Sequence, residues 1–223
     1  MKNKLINHFN KVIMFVVFYG FSSAMAGSYE DFFTAIKRDD PTSIQRLLQR
    51  GFDPNTVDPK GESGLFLALQ DESVKAAQAL IDWPKTDLNR LNDKGESALM
   101  LAVLKKQQDL AEKLVKKGAD VNKTGWTPLH YAATGGHLAI ISLLLENSAY
   151  IDAESPNGTT PLMMAAMYGT PEAVQLLLEE GADPQLKNQQ GLTALQFAQQ
   201  ANRPDAAEAI AAAIRKLRPA GKW

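Results

Sequence analysis

Apolar residues along this chain fall in short clusters with helical spacing, and the clusters recur. Leu129, Ala132 and Ala133 share one face of a first short helix that Gly135-Gly136 breaks. Ile140, Ile141, Leu143, Leu144 and Leu145 supply the apolar side of a second helix, from about Leu138 to Glu146. One unit later the first helix again carries small residues, Ala165 and Ala166, and the second again carries bulky ones, Leu176-Leu177-Leu178. Thr127 is placed to cap the first helix and Pro128 occupies its first position, where a missing N–H leaves nothing unpaired. Helices of about ten residues are marginal alone in water, so the pattern predicts helix pairs that gain stability by stacking copy on copy.

The segments between the helices repeat as well. Five openings align: Gly61-Glu62-Ser63-Gly64-Leu65, Gly95-Glu96-Ser97-Ala98-Leu99, Gly125-Trp126-Thr127-Pro128-Leu129, Gly158-Thr159-Thr160-Pro161-Leu162 and Gly191-Leu192-Thr193-Ala194-Leu195. They are spaced by 34, 30, 33 and 33 residues. A closing segment recurs as Gly51-Phe52-Asp53-Pro54-Asn55, Gly118-Ala119-Asp120-Val121-Asn122 and Gly181-Ala182-Asp183-Pro184-Gln185, with Ser148-Ala149-Tyr150-Ile151-Asp152 as a looser copy. A glycine at the end of each second helix suits a left-handed C-terminal cap.

The run Gly125 to Ala133, with Gly136-His137 and Leu143-Leu144-Leu145, resembles the ankyrin repeat almost letter for letter, and Gly158 through Pro184 is a second near-complete match. The resemblance spans about residues 29–217. It implies an all-α solenoid of ankyrin repeats, about six stacked helix pairs with short β-hairpin loops. The expected pairs lie near 29–55, 61–89, 95–122, 125–152, 158–185 and 191–217, in a domain over 27–218, with 219–223 as a tail. Tetratricopeptide and HEAT repeats lack the Thr-Pro-Leu-His opening and the Gly-Ala-Asp closing segment.

Several units depart from the family pattern. The first begins Tyr29-Glu30-Asp31-Phe32-Phe33, and the last ends in the alanine-rich stretch Ala206 to Ile214, as expected of terminal repeats. Gly64 stands where family members prefer proline, and Ile81 to Asn89 replaces the glycine-alanine pair and inserts one residue. Asn122-Lys123-Thr124-Gly125 is three residues short, which predicts a notch in the row of loop tips.

The first 26 residues read as a signal for export. Met1-Lys2-Asn3-Lys4 is basic, Val12 to Phe21 is almost wholly apolar, and Ala24-Met25-Ala26 offers small residues for cleavage after Ala26. The apolar run is about half the roughly 20 residues that a membrane-spanning helix needs, so no stable insertion is expected after cleavage. Its n-region and exit suit a bacterial signal, so the domain is expected in the periplasm, with release outside the cell as the alternative. Losing Lys2, Lys4 and Lys11 lowers Lys plus Arg from 24 to 21 against 25 Asp plus Glu, a mature charge of about -4. That balance argues against nucleic acid as a partner. The chain has no cysteine, which excludes disulfides, thiolate metal sites and thiol nucleophiles.

Little else in the sequence resembles chemistry. His130 and His137 occupy family positions that make hydrogen bonds to loop and helix backbone, and two histidines are too few for a zinc site. Asp53, Asp87, Asp120, Asp152 and Asp183 recur once per unit, too far apart for a calcium site, and each is expected to fix its own turn. No catalytic residue, cofactor or metal is therefore expected. The resemblance instead implies binding of another protein through loop tips and exposed first-helix positions. The position after each opening glycine gives Glu62, Glu96, Trp126, Thr159 and Leu192. The exposed helix positions give Gln70, Asp71, Leu104, Lys105, Thr134, Gly135, Met167 and Tyr168, with Tyr131 and Met164 one turn earlier. The expected partner-binding set is Trp126, Tyr131, Met164, Met167, Tyr168, Leu104 and Lys105, because aromatics and methionine suit binding centres. The function expected is an adaptor or regulator of an exported or envelope protein. The alternatives are an inhibitor or immunity-type protein for a secreted partner, and a spacer.

Overall fold

The computed structural model describes residues 27–217, so the export signal expected at 1–26 and the tail expected at 219–223 lie outside the described residues. The chain divides between Thr86 and Asp87 into two compact units. In the first unit, α1 (27–37) is followed by α2 (Pro41–Gln49), α3 (Gly64–Gln70) and α4 (Val74–Asp82). Here α4 packs against both α2 and α3, and Phe32, Ile36, Ile44, Leu69 and Leu80 are fully buried.

The second unit holds four helix pairs: α5 (Ala98–Leu104) with α6 (Gln108–Lys116), α7 (Pro128–Gly135) with α8 (Leu138–Glu146), α9 (Pro161–Tyr168) with α10 (Pro171–Glu179), and α11 (Ala194–Gln200) with α12 (Pro204–Leu217). First helices pack in the row α5–α7–α9–α11 and second helices in the row α6–α8–α10–α12. The alanine positions explain the close first row: Ala132, Ala133, Ala165 and Ala166 have no exposed surface. Leu144 and Leu177 are equally buried in the second row, whereas Leu143, Leu145, Leu176 and Leu178 remain half-exposed. The described residues thus form six helix pairs, two in one unit and four in the other.

Each first helix of the second unit begins with a reciprocal cap. The backbone N–H of Ser97 donates to Met100 Sδ, that of Thr127 to His130 Nδ1, that of Thr160 to Met163 Sδ and that of Thr193 to Gln196 Oε1. Serine and threonine return the bond where the side chain is free: Ser97 Oγ accepts from the Met100 N–H and Thr160 Oγ1 from the Met163 N–H. Gly136 closes α7 in a left-handed conformation with φ 66°, and Gly51, Gly118 and Gly181, after second helices, carry the positive φ expected there, 92°, 92° and 97°.

The β-hairpin loops expected between pairs do not form. Among the described residues there is no β-strand, only the isolated antiparallel bridges Val57–Ser63 and Leu91–Ser97. The reason lies in how the tips close. Asp58 Oδ1 accepts from the N–H groups of Lys60 and Glu62, and the Gly61 N–H donates to the Asp58 carbonyl. Asn92 makes the same turn with Lys94, Gly95 and Glu96, and Asn188 makes it with Gln190, Gly191 and Leu192. In the tip between them, Ser155 Oγ takes the Thr159 N–H. A side-chain oxygen thus satisfies the donors that a strand ladder would use.

The short loop lacks this device. Three residues before its glycine, where the other tips have Asp58, Asn92, Ser155 and Asn188, stands Asn122, whose side chain is already bonded to the Tyr150 N–H and the Ser148 carbonyl. Lys123 takes over: its Nζ donates to the carbonyls of Thr124 (2.9 Å) and Trp126 (3.2 Å).

Candidate functional site

Because the four first helices of the second unit lie side by side, equivalent residues form a surface grid. Met164, Met167 and Tyr168 stand at i, i+3 and i+4 on α9 and so share one face. Tyr168 is 57% exposed, while Met164 and Met167 are half-buried. Tyr131 occupies the place of Met164 on the neighbouring α7 and is also half-buried. Its hydroxyl points toward Glu96 Oε1 at 3.5 Å, the outer limit of a hydrogen bond. Burial, followed by the nearby Glu96 charge, raises the Tyr131 pKa. On α5, Leu104 is 52% exposed and Lys105 caps the helix end half-buried.

Trp126 is set differently. It precedes the cap of α7, and its ring meets His130 edge-on with centroids 5.2 Å apart. One side of the indole is therefore used inside the repeat and the residue is half-exposed. Thr159, expected on the surface, is only 2% exposed. Its carbonyl accepts from His130 Nε2 and its N–H donates to Ser155 Oγ, so the fold consumes both backbone polar groups. Sequence reasoning passed over Tyr150, a large side chain that is 70% exposed. The available signal was an aromatic residue standing where other closing segments carry aspartate.

The aspartate row also needs correction. Asp53, Asp87 and Asp183 do fix their own turns, each accepting from the N–H two residues on. Asp152 belongs two positions later in the repeat, beside Asn55, Asn89 and Asn122, and this second row links one repeat to the next. Asn55 Nδ2 donates to the Lys85 carbonyl, and Asn89 Oδ1 accepts from the Asp120 N–H. Asn122 accepts from the Tyr150 N–H and donates to the Ser148 carbonyl. Both carboxylate oxygens of Asp152 face the Asp183 N–H at 3.2 Å. Burial raises the Asp152 pKa, with the Asp183 charge adding to the effect and the Asp183 N–H opposing it.

His130 is 1% exposed and fully engaged. Its Nε2 lies 2.9 Å from the Thr159 carbonyl, an acceptor, so Nε2 carries the proton. Nδ1 then accepts from the backbone N–H and the hydroxyl of Thr127, at 3.1 and 2.9 Å. Burial lowers its pKa, which keeps the ring neutral. His137 does not make the expected backbone bond; its ring covers Gly135, where an added Cβ would sit 2.3 Å from Nε2. Among the described residues no group of three or more His, Asp or Glu is arranged to hold a metal. The arrangement is that of a scaffold, with polar side chains spent on caps and turns.

A family model described as ankyrin repeats (3 copies) matches residues 32–124, 84–155, 122–188 and 150–218. The chain belongs to the ankyrin-repeat family. The Notch-regulated ankyrin repeat-containing protein of Homo sapiens is 37% identical over 123 residues, 52% of this chain and 78% of that protein. The B-cell lymphoma 3 protein homolog of Mus musculus is 31% identical over 125 residues, 53% of this chain but only 28% of that protein's length. Among solved structures, a chain in the complex of the predatory endopeptidase Bd0816 from Bdellovibrio bacteriovorus with immunity protein Bd3460 is 32% identical. The alignment covers 82% of this ankyrin-repeat chain and 97% of that one, with a TM-score of 0.70. The ankyrin repeat protein EF0377 is 28% identical, with a TM-score of 0.74 over 81% of this chain and 96% of that one. An ankyrin repeat domain from Acinetobacter baumannii AYE is 25% identical, with a TM-score of 0.74 over 82% and 96%.

Proposed function

We propose that this ankyrin-repeat protein is an inhibitor or immunity-type protein that binds and neutralises an exported peptidase. The observation that carries the reading is the near full-length likeness to a chain from a complex of an endopeptidase with its immunity protein. That likeness favours neutralisation over the adaptor or regulator role. The exposed face of Met164, Met167 and Tyr168, with Tyr131, Trp126, Leu104 and Lys105 beside it, is the contact surface in this reading. Methionine and tyrosine give broad contact with adaptable packing. Export to the periplasm belongs to the same proposal and is supported by the basic start, apolar run and Ala24-Met25-Ala26 exit of residues 1–26.

The test is inhibition. Purified protein is added to an envelope extract of the source cell, endopeptidase activity is followed, and proteins retained on the immobilised chain are identified. A retained peptidase whose activity falls in proportion to added protein is expected. Unchanged peptidase activity alongside a retained non-peptidase would replace this reading with the adaptor role.

A further inference from the structure

We infer that the notch left by the short 122–125 loop is a binding site for a stretch of partner polypeptide backbone, with the Asn188 amide as its buried donor. The inference deepens the reading that this chain binds a protein and rests on it.

The notch opens into a cavity of about 400 Å3 whose walls include Thr124, Gly125, Glu154, Pro156, Lys187 and Asn188. It exists because the loop at 122–125 is short, so the tip at 155–158 has no neighbour of equal length on that side. Asn188 is 5% exposed. The N–H groups of Gln190 and Leu192 both donate to one atom of its side-chain amide, each at 3.0 Å. An atom that accepts twice is the oxygen, so the other is the NH2 group. That nitrogen is buried and has no acceptor. Unpaired buried donors are rare because each forgoes its hydration without return.

The matching residue three repeats earlier shows how the donor came to be stranded. Asn92 makes the same turn, and its Nδ2 donates to Glu96 Oε2 at 2.9 Å, four residues on. Four residues after Asn188 stands Leu192, which has no acceptor. An acceptor must come from outside, through the cavity that Asn188 lines. Gln189, exposed and bonded through Nε2 to the Pro156 carbonyl, lines the same cavity.

The walls select the class of ligand. Lys187 adds a second donor and Glu154 a carboxylate, both exposed. A peptide group brings one carbonyl for Nδ2 and one N–H for Glu154. A carboxylate ligand would instead set a second negative charge against Glu154. The volume suits a few residues of extended chain.

Two variants separate this role from a purely internal one. Asn188→Asp keeps the turn, as Asp58 does at the matching tip, but removes the donor. Leu192→Glu gives Nδ2 an internal acceptor, as Glu96 does for Asn92. The probe is N-acetyl-triglycine N-methylamide, titrated into the 15N-labelled chain and followed by NMR. The Asn188 side-chain signals, identified by their loss in Asn188→Asp, are expected to shift saturably in the unmodified chain. Binding is expected to weaken about tenfold in both variants, while Leu192→Glu melts at a higher temperature. Unmoved Asn188 signals, or equal affinity in all three chains, would overturn the inference. The peptidase assay is read separately. Inhibition that is equal in all three chains defeats the notch alone, and peptide binding without peptidase inhibition defeats the proposed function alone.

Discussion

His130 Nε2 donates to the carbonyl of Thr159 in the next repeat at 2.9 Å, while the same ring closes the cap of its own helix through Nδ1. One side chain thus joins two repeats. His130→Ala leaves the Thr127 N–H and the Thr159 carbonyl without partners in a buried site, and a loss of about 2–3 kcal/mol is expected by urea denaturation. His130→Gln should cost about 1 kcal/mol, since Gln196 shows that glutamine serves the near cap at the equivalent position. Equal losses in the two variants would mean that the link to Thr159 contributes nothing.

The same ring gives the fold a pH dependence. Burial holds the His130 pKa below its ordinary 6.5. His137 is lowered in the same direction, by burial and then by the Lys106 charge. In this pH range the unfolded chain binds protons that the folded chain refuses. Stability is therefore full above pH 6.5 and falls as pH drops through the lowered folded values. Denaturation midpoints measured from pH 7.5 to 5 should fall with acid, and His130→Gln should flatten part of the slope. A midpoint that rises on acidification over this interval would contradict the assignment.

Asp152 carries a charge where its counterparts Asn89 and Asn122 carry an amide. Asp152→Asn keeps the acceptor for the Asp183 N–H and removes the charge that burial and Asp183 disfavour, so a gain of about 0.5–1 kcal/mol at pH 7 is expected. The sign is opposite to that of the histidines. A raised folded pKa favours the protonated acid, so this group's stabilising contribution is full below its ordinary 3.8 and fades as pH rises through the folded value. The advantage of asparagine should then shrink toward pH 3.5. An advantage that persists unchanged in acid would point to packing instead of charge.

Restoring the family's proline at position 64 should destabilise this chain. Proline suits the first helical position at Pro128 and Pro161. At Gly64, however, an added Cβ would lie 2.7 Å from Phe32 Cε1 and 2.9 Å from Ile36 Cδ1. Gly64→Pro is expected to cost about 1–3 kcal/mol, and Phe32→Leu in the same chain to recover part of it. Recovery of nothing would place the strain elsewhere.

On the candidate binding face, Tyr168→Ala is the cleaner probe because that side chain is 57% exposed. It should weaken partner binding about tenfold with helix content and melting temperature unchanged. Trp126→Ala also removes a ring contact with His130, so it should lose about 1 kcal/mol of stability as well as affinity. Circular dichroism and a binding titration on both variants decide the matter; full affinity in Tyr168→Ala would remove it from the interface.

The sequence by itself determined the helix pairs. Alanines at Ala132, Ala133, Ala165 and Ala166, leucines at Leu144 and Leu177, and the starts Thr127-Pro128 and Thr160-Pro161 are local signals with a fixed period, and a short helix reads them directly. It also located the short loop at 122–125, since a missing segment shows as spacing. Tertiary structure decided the rest, because partners at a distance choose among local options. Asp152 and Asp183 look alike in sequence, yet one binds across repeats and the other within its turn. Loop tips with a hairpin's residues close instead on a side-chain oxygen. Thr159 is buried because His130 claims its carbonyl from 29 residues away. A residue's type sets which bonds it can make, and the neighbouring copy decides which of them form.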